Sequence, residues 1–321
     1  MPRAPIFLLL TLTALGSVFI ALAFGSLPLT VVEVFQAIVS PVPGIADDVI
    51  WKLRMPRVLA AFACGGLLAT AGVLLQVLLR NPLADPYILG ISGGAALGAL
   101  GAILLGAGVA GGNAGALAGA LGAIAIVFGL SFRAGDWNLH RLLLTGVVIA
   151  AGFTAVISLL LSIAPQAQIK GMLFWLMGDL SHAGSSGAAW LVLGLVVAVF
   201  TLWSGSLNAL ALGALKARAL GVAVGGVQSA LYFGAALATV AAVLLGGSIG
   251  FVGIMVPHAL RLSGVNDHRW LLPASALVGG SFVTLADTFA RSVWAPQQLP
   301  VGIFTAVLGV PVLLFLLSRR A

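Results

Sequence analysis

An all-α membrane protein with about ten transmembrane helices is the fold class this sequence predicts, and three observations carry the prediction. First, 61% of the 321 residues are hydrophobic and only 7% are charged, with a mean hydropathy of +1.19. Soluble domains carry roughly 25% charged residues, so the chain lacks the polar surface that water demands. Second, apolar segments run nearly end to end, broken by Pro, Gly and charged residues. Third, the basic residues stand singly between those segments, as they do in the cytoplasmic loops of membrane proteins. The net charge of +7 therefore reflects topology and implies no nucleic-acid partner. Length alone would suggest about two soluble domains. Composition overrides that reading, and 1–321 is read as a single transmembrane domain in the lipid bilayer.

The predicted spans cover about 5–24, 56–79, 87–109, 114–132, 140–164, 188–206, 222–246, 249–264, 271–292 and 300–318. The first follows Arg3 and contains a faintly cleavage-like Ala21-Leu22-Ala23. Its apolar run of about 20 residues exceeds a usual signal core, so it is read as a retained span. The eighth is short and contains Pro257, which predicts a partly buried or broken helix surrounded by protein. With the N-terminus inside, Arg3, Arg80, Arg133, Arg141, Lys216, Arg218, Arg261, Arg269, Arg319 and Arg320 fall on the inner side. The outer side then holds the smaller set Lys52, Arg54, Arg57, Lys170 and Arg291, which predicts both termini in the cytoplasm.

Two stretches are neither span nor short turn. One, about 25–55, contains Glu33, Asp47 and Asp48 and ends in the basic run Lys52 to Arg57. The other, about 165–187, contains Ile169 to Met177, whose Trp and Lys suit a short helix at the outer interface. The 42 glycines, dense in Gly90 to Gly98, predict close helix packing, because small residues let helices approach where lipid removes the hydrophobic drive.

The chain carries little chemistry of its own. It has no G-x-x-x-x-G-K-[ST], and its lysines are Lys52, Lys170 and Lys216. Ile91-Ser92-Gly93-Gly94 lies in an apolar helix and reads as packing rather than as a nucleotide signature. No Ser-His-Asp set and no metal-ligand cluster stands out, so no catalytic residue, metal or cofactor is predicted. Cys64 is alone and reads as a buried structural thiol. Intramembrane ionisable groups are the usual ion sites of carriers, and the candidates are Asp287 and His258. Asp287 and Arg291 are spaced to pair on one helix face, and His258 reads as a packed or capping residue near the inner side.

Several segments resemble one family: the FecCD/BtuC-type permease subunits of bacterial ABC importers for iron chelates, haem and cobalamin. The carrying residues are Arg54-Met55-Pro56-Arg57, Asn81-Pro82-Leu83-Ala84-Asp85-Pro86, Leu89 to Ala95 and Arg141 to Gly146. Gly250 to Gly253, Val256-Pro257-His258, Asp267-His268-Arg269, Ala286-Asp287 with Arg291, and Leu299 to Ile303 follow in the family's order. The resemblance implies a BtuC-like type II importer permease with ten spans, in the bacterial inner membrane. It further implies a homodimer with a central path, two cytoplasmic ATP-binding-cassette ATPase subunits, and a periplasmic substrate-binding protein. By position it gives Arg54, Arg57 and Arg291 the role of pairing with glutamates of the binding protein, for which the bidentate guanidinium fork is suited.

The ATPase contact implied by the family is the loop between spans six and seven, here Leu210, Leu212, Gly213, Ala214, Leu215, Lys216, Arg218, Leu220 and Gly221. The family usually has acidic residues after that Gly, whereas Ala214-Leu215-Lys216 follow here. Ala, Leu, Lys and Arg are good helix formers, so a short coupling helix is still expected, against a more apolar or acidic partner cleft. The path is implied to run along the second, third, fifth, eighth and tenth spans and the 169–178 helix. Cobalamin, ferric siderophore and haem stay open as cargo, with a slight lean to cobalamin from Pro86-Tyr87-Ile88-Leu89-Gly90 and Asn266-Asp267-His268-Arg269. The competing readings are an ion-coupled carrier or channel dependent on Asp287 or His258, and a non-transporting membrane scaffold or sensor.

Overall fold

Lipid offers no hydrogen bonds to an exposed backbone, so apolar segments crossing it form helices. The computed structural model describes residues 3–27, 29–40, 44–133 and 136–318. In chain order the helices are α1 (Arg3–Ala23), α2 (Val31–Val39), α3 (Ile45–Asp48), α4 (Met55–Leu79) and α5 (Ile91–Leu104). Next come α6 (Gly108–Ser131), α7 (Leu139–Ile163), α8 (Gln166–Met177), α9 (Gly187–Leu202) and α10 (Ser204–Ala211). The last are α11 (Ala214–Ala219), α12 (Val224–Gly246), α13 (Val252–Leu262), α14 (His268–Ser292) and α15 (Val301–Ser318).

Six of these, α1, α4, α6, α7, α12 and α14, are long and apolar enough to cross a membrane, judged by length and composition. A seventh candidate is the pair α9 and α10, which share the apolar pattern but are bent by 68°. The remaining predicted spans fall on the shorter apolar helices α5, α13 and α15. The eighth segment is short, as its Pro257 suggested: α13 has 11 residues and packs against α4, α14 and α15.

The centre of the bundle is α4, in which every residue from Ala60 to Leu79 is buried. It is sheathed by α14, α12, α13 and α9. Glycine makes this possible. A Cβ at Gly65 would overlap the Gly279 carbonyl of α14, and one at Gly72 would overlap the Gly253 carbonyl of α13. The α5–α6 pair is built the same way, through Gly98 against Gly115 and Gly94 against Gly119. These glycines thus serve backbone-to-backbone contact, as small residues do between helices in lipid.

Three features differ from the sequence reading. The 25–55 stretch is not a plain loop, since α2 forms behind a capping box. Thr30 N donates to Glu33 Oε2 at 2.7 Å, and Glu33 N donates to Thr30 Oγ1 at 3.3 Å. The Thr30 backbone N–H and hydroxyl also hold the Glu33 carboxyl below its usual range. Between α6 and α7, Phe132–Arg133 and Asp136–Trp137 pair as a two-residue antiparallel ladder. Finally, α8 does not lie on the surface along its whole length. Met172 is fully buried, and its end is tied in by Ser248 N donating to Trp175 O at 3.4 Å and Gly302 N to Gly178 O at 3.4 Å.

Replacing Gly72 by Val should lower stability by about 1–3 kcal/mol or more, because the obstructing atoms are backbone and cannot rotate away. Thermal unfolding in detergent checks this; an unchanged midpoint would mean that the α4–α13 approach is looser than described.

Candidate functional site

Two ends of the bundle carry the polar residues singled out by sequence. At the end where α4 starts and α14 finishes, the carboxylate of Asp287 is gripped by Arg57. Arg57 Nε lies 2.9 and 3.2 Å from its two oxygens and Nη2 lies 2.8 Å from Oδ1. The remaining Arg57 nitrogen, Nη1, donates to Gln298. Arg291 Nε is 3.9 Å from Asp287 Oδ2. The expected pairing within α14 is therefore the weaker one, and the main partner comes from α4, 230 residues away in sequence. The reason lies in what else Arg291 touches: its Nη2 donates to the Ala21 carbonyl.

Arg54 behaves like Arg291. Its guanidinium donates to the carbonyls of Leu22, Ala23 (2.9 Å) and Leu27. The last carbonyls of a helix have no intrahelical partner and carry the negative end of its dipole, so cations are favoured there. Arg54 and Arg291 together satisfy the end of α1. They are 4% and 7% exposed, so both guanidiniums are turned inward onto the chain's own acceptors. Arg57, with 11% of its side chain exposed, reaches furthest toward the surface. Arg57 and Arg291 flank the one buried carboxylate here and Arg54 adds a third guanidinium held by carbonyls, which leaves this end cationic.

The opposite end carries the segment between α9 and α12. Gly213 has φ 114° and ψ 149°, a conformation essentially confined to glycine, and turns α10 into α11. The helix predicted for Ala214 onward forms as α11, with no acidic residue needed. Leu210 and Ala217 are buried and anchor the segment, whereas Lys216, Arg218 and Gly221 are exposed and Ala214 is half-buried. Leu212, Leu215 and Leu220 are 64%, 83% and 67% exposed. Three projecting leucines beside two cations form an exposed amphipathic face.

Sequence reading gave no structural role to the residues that fix this segment. Asn208 of α10 donates to Asp267 Oδ1 at 2.9 Å and accepts from His268 N at 3.1 Å, with His268 Nδ1 at 2.6 Å. Asp267 itself caps α14 by accepting from Arg269 N at 3.0 Å. The Asp267-His268-Arg269 motif is thus the socket for α10. Gln76, buried in α4, donates to Gly253 O at 3.2 Å and accepts from Arg261 of α13. Polar residues within apolar helices, Asn208 and Gln76, were the available signal. His258 is buried in α13. Among the described residues, no group of His, Cys, Asp or Glu is arranged to hold a metal ion.

The model of the FecCD transport family matches residues 10–319 of this sequence. The chain belongs to the FecCD transport family. Among its relatives are the vitamin B12 import system permease proteins BtuC of Klebsiella pneumoniae subsp. pneumoniae and of Escherichia coli O139:H28. The first is 39% identical over 277 residues, 84% of this chain and 82% of that one. The second is 38% identical over 275 residues, 84% and 83% of the two chains. Among solved structures, the chain is similar to an inward-facing conformation of a transporter assigned to the metal-chelate ABC type. The TM-score is 0.86 at 31% identity, covering 98% of this chain and 99% of that one. Likeness to PsaBC from Streptococcus pneumoniae, at TM-score 0.58 and 16% identity, extends to the fold alone.

The geometry around Asp287 makes a quantitative statement. Breaking a buried ion pair from one side costs about 3–5 kcal/mol, so Arg57→Ala or Asp287→Ala alone should destabilise by that amount. The double variant should lose clearly less than the sum, and unfolding of all three in detergent measures the coupling. Strictly additive losses would mean that the pair contributes nothing.

Proposed function

We propose that this FecCD-family chain is the permease subunit of an ATP-driven importer, working as a homodimer with two cytoplasmic ATPase subunits and a periplasmic binding protein. The observation that carries it is the match of the family over residues 10–319, joined to relatives whose names are those of vitamin B12 import permeases. Cobalamin is accordingly the favoured cargo, ahead of a ferric siderophore or haem. The chain crosses the inner membrane ten times in this reading, with the bent α9–α10 pair and the short α5, α13 and α15 completing the set, and with both termini in the cytoplasm. The absence of a phosphate loop from the sequence agrees with ATP hydrolysis on a separate subunit.

The two ends take complementary roles. Arg54, Arg57 and Arg291 form the periplasmic docking rim, where their surplus positive charge attracts acidic residues of the binding protein. Arg57 makes direct contact, and Arg54 and Arg291 contribute charge from behind while holding α1. The segment Leu210, Leu212, Gly213, Ala214, Leu215, Lys216, Arg218, Leu220 and Gly221 couples to the ATPase, with Leu212, Leu215 and Leu220 inserted into an apolar cleft. An ion-coupled carrier is disfavoured because Asp287 is saturated by Arg57 rather than open to a passing ion.

Uptake of labelled cobalamin, a ferric siderophore and haem into proteoliposomes holding this chain, its ATPase and its binding protein tests the assignment. ATP-dependent cobalamin uptake that ends when the ATPase is made hydrolysis-dead is the expected result; flux persisting without the ATPase would overturn it. Binding-protein association should weaken with ionic strength and again in Arg57→Gln, which keeps donors for Asp287 but removes the charge. The ATPase should co-purify unchanged with that variant, and salt-independent docking would remove the rim from the reading.

A further inference from the structure

A second cationic feature lies at the α11 end, apart from the projecting leucines. A cavity of about 490 Å³ opens between the end of α4, the end of α6, the start of α7, α11 and the start of α12. Arg80, Arg141 and Arg218 line it, each from a different element, with His140 beside them. Among the described residues, none that lines it is acidic. The arrangement is electrostatically adverse as it stands. Arg141 and His140 occupy the first turn of a 25-residue helix, where the dipole is positive and cations are disfavoured. The N-terminal turn of α12 opens into the same space through Val224.

A separate observation points to an occupant. Ser131, at the end of α6, is 1% exposed and lines the cavity, and its hydroxyl has no hydrogen-bond partner among the described residues. Three guanidiniums, two helix N-termini and a waiting hydroxyl describe a receptor for phosphate oxygens. Trp137 closes one wall, fixed by Nε1 donating to Ser229 at 3.1 Å, and an indole at the end of a bundle sits at headgroup depth.

We propose that this cavity binds the phosphodiester headgroup of an anionic phospholipid of the inner leaflet. Basic pockets between transmembrane helices on the cytoplasmic side are suited to such headgroups, and the volume falls in the range of small-molecule sites. The sidedness rests on the topology under the proposed function, but the binding itself does not require the ATPase or the cargo. The site places a lipid directly behind α11, through Arg218 and through Arg80, whose guanidinium lies next to Gly213.

Native mass spectrometry of the purified chain, equilibrated with equal phosphatidylglycerol and phosphatidylcholine, tests the proposal without the partner subunits. Phosphatidylglycerol should be retained selectively, and the double variant Arg80→Gln/Arg141→Gln should lower its retention about twenty-fivefold, at roughly fivefold per arginine. The pair Arg80→Lys/Arg141→Lys keeps the charge and should hold the lipid within about threefold of the parent. Equal retention of both lipids by the parent chain overturns the proposal, and so does equal loss in the lysine pair. Displacement of the lipid by millimolar inorganic phosphate would reassign the site to a soluble phosphate group. Unchanged retention in the glutamine pair overturns the proposal as well.

Discussion

The rest of the structure depends on how closely other helices approach α4. In lipid, an apolar side chain gains nothing by moving from acyl chains to another helix, so the bundle is held by contact at short range. Gly65, Gly72, Gly253 and Gly279 remove the side chains that would hold the backbones apart. With α4 fixed against α14 and α13, the residues at its two ends are fixed as well. Arg57 stands at one end opposite Asp287, and Arg80 stands at the other beside the turn into α11. The charged features are therefore consequences of an apolar contact made in the middle.

Several polar interactions within the bundle follow a common rule: each ties one helix to the end or the interrupted backbone of another. Arg54 and Arg291 hold the carbonyls that α1 leaves open, Gln76 holds the Gly253 carbonyl, and Asn208 holds the cap of α14. Unsatisfied backbone groups are costly inside a membrane, so buried polar side chains are placed where regular hydrogen bonding stops. This also explains why arginines that look like a docking surface in sequence are turned inward. A single family position can serve the architecture of its own subunit and the field that a partner meets.

Much of the fold was legible in the sequence because it depends on local composition. Apolar runs located the helices, Pro257 marked the short α13, and the family motifs appeared in order. What was not legible depends on pairing at a distance. Nothing in the residues around Asp287 selects Arg57 over Arg291, since the nearer one in sequence is at ideal helical spacing. The choice is made by the Ala21 carbonyl, which only the fold brings to Arg291. Thr30 and Glu33 are a different case: the capping box was written in the sequence, but the apolar run behind it, Val31–Val39, is too short to announce a span. The 68° bend between α9 and α10 was likewise hidden, because both halves are apolar and the predicted span ran through it.

The two ends of α14 carry the socket for α10 and the carboxylate held by Arg57, which makes this helix a lever. At about 1.5 Å per residue its 25 residues reach roughly 37 Å. If α10 is pushed and α14 tilts on its close contact at Gly279, a rotation of about 5° carries Asp287, eight residues beyond, through about 1 Å. That travel is about a third of the length of the contacts Arg57 makes, so a stroke at one end loosens the ion pair at the other.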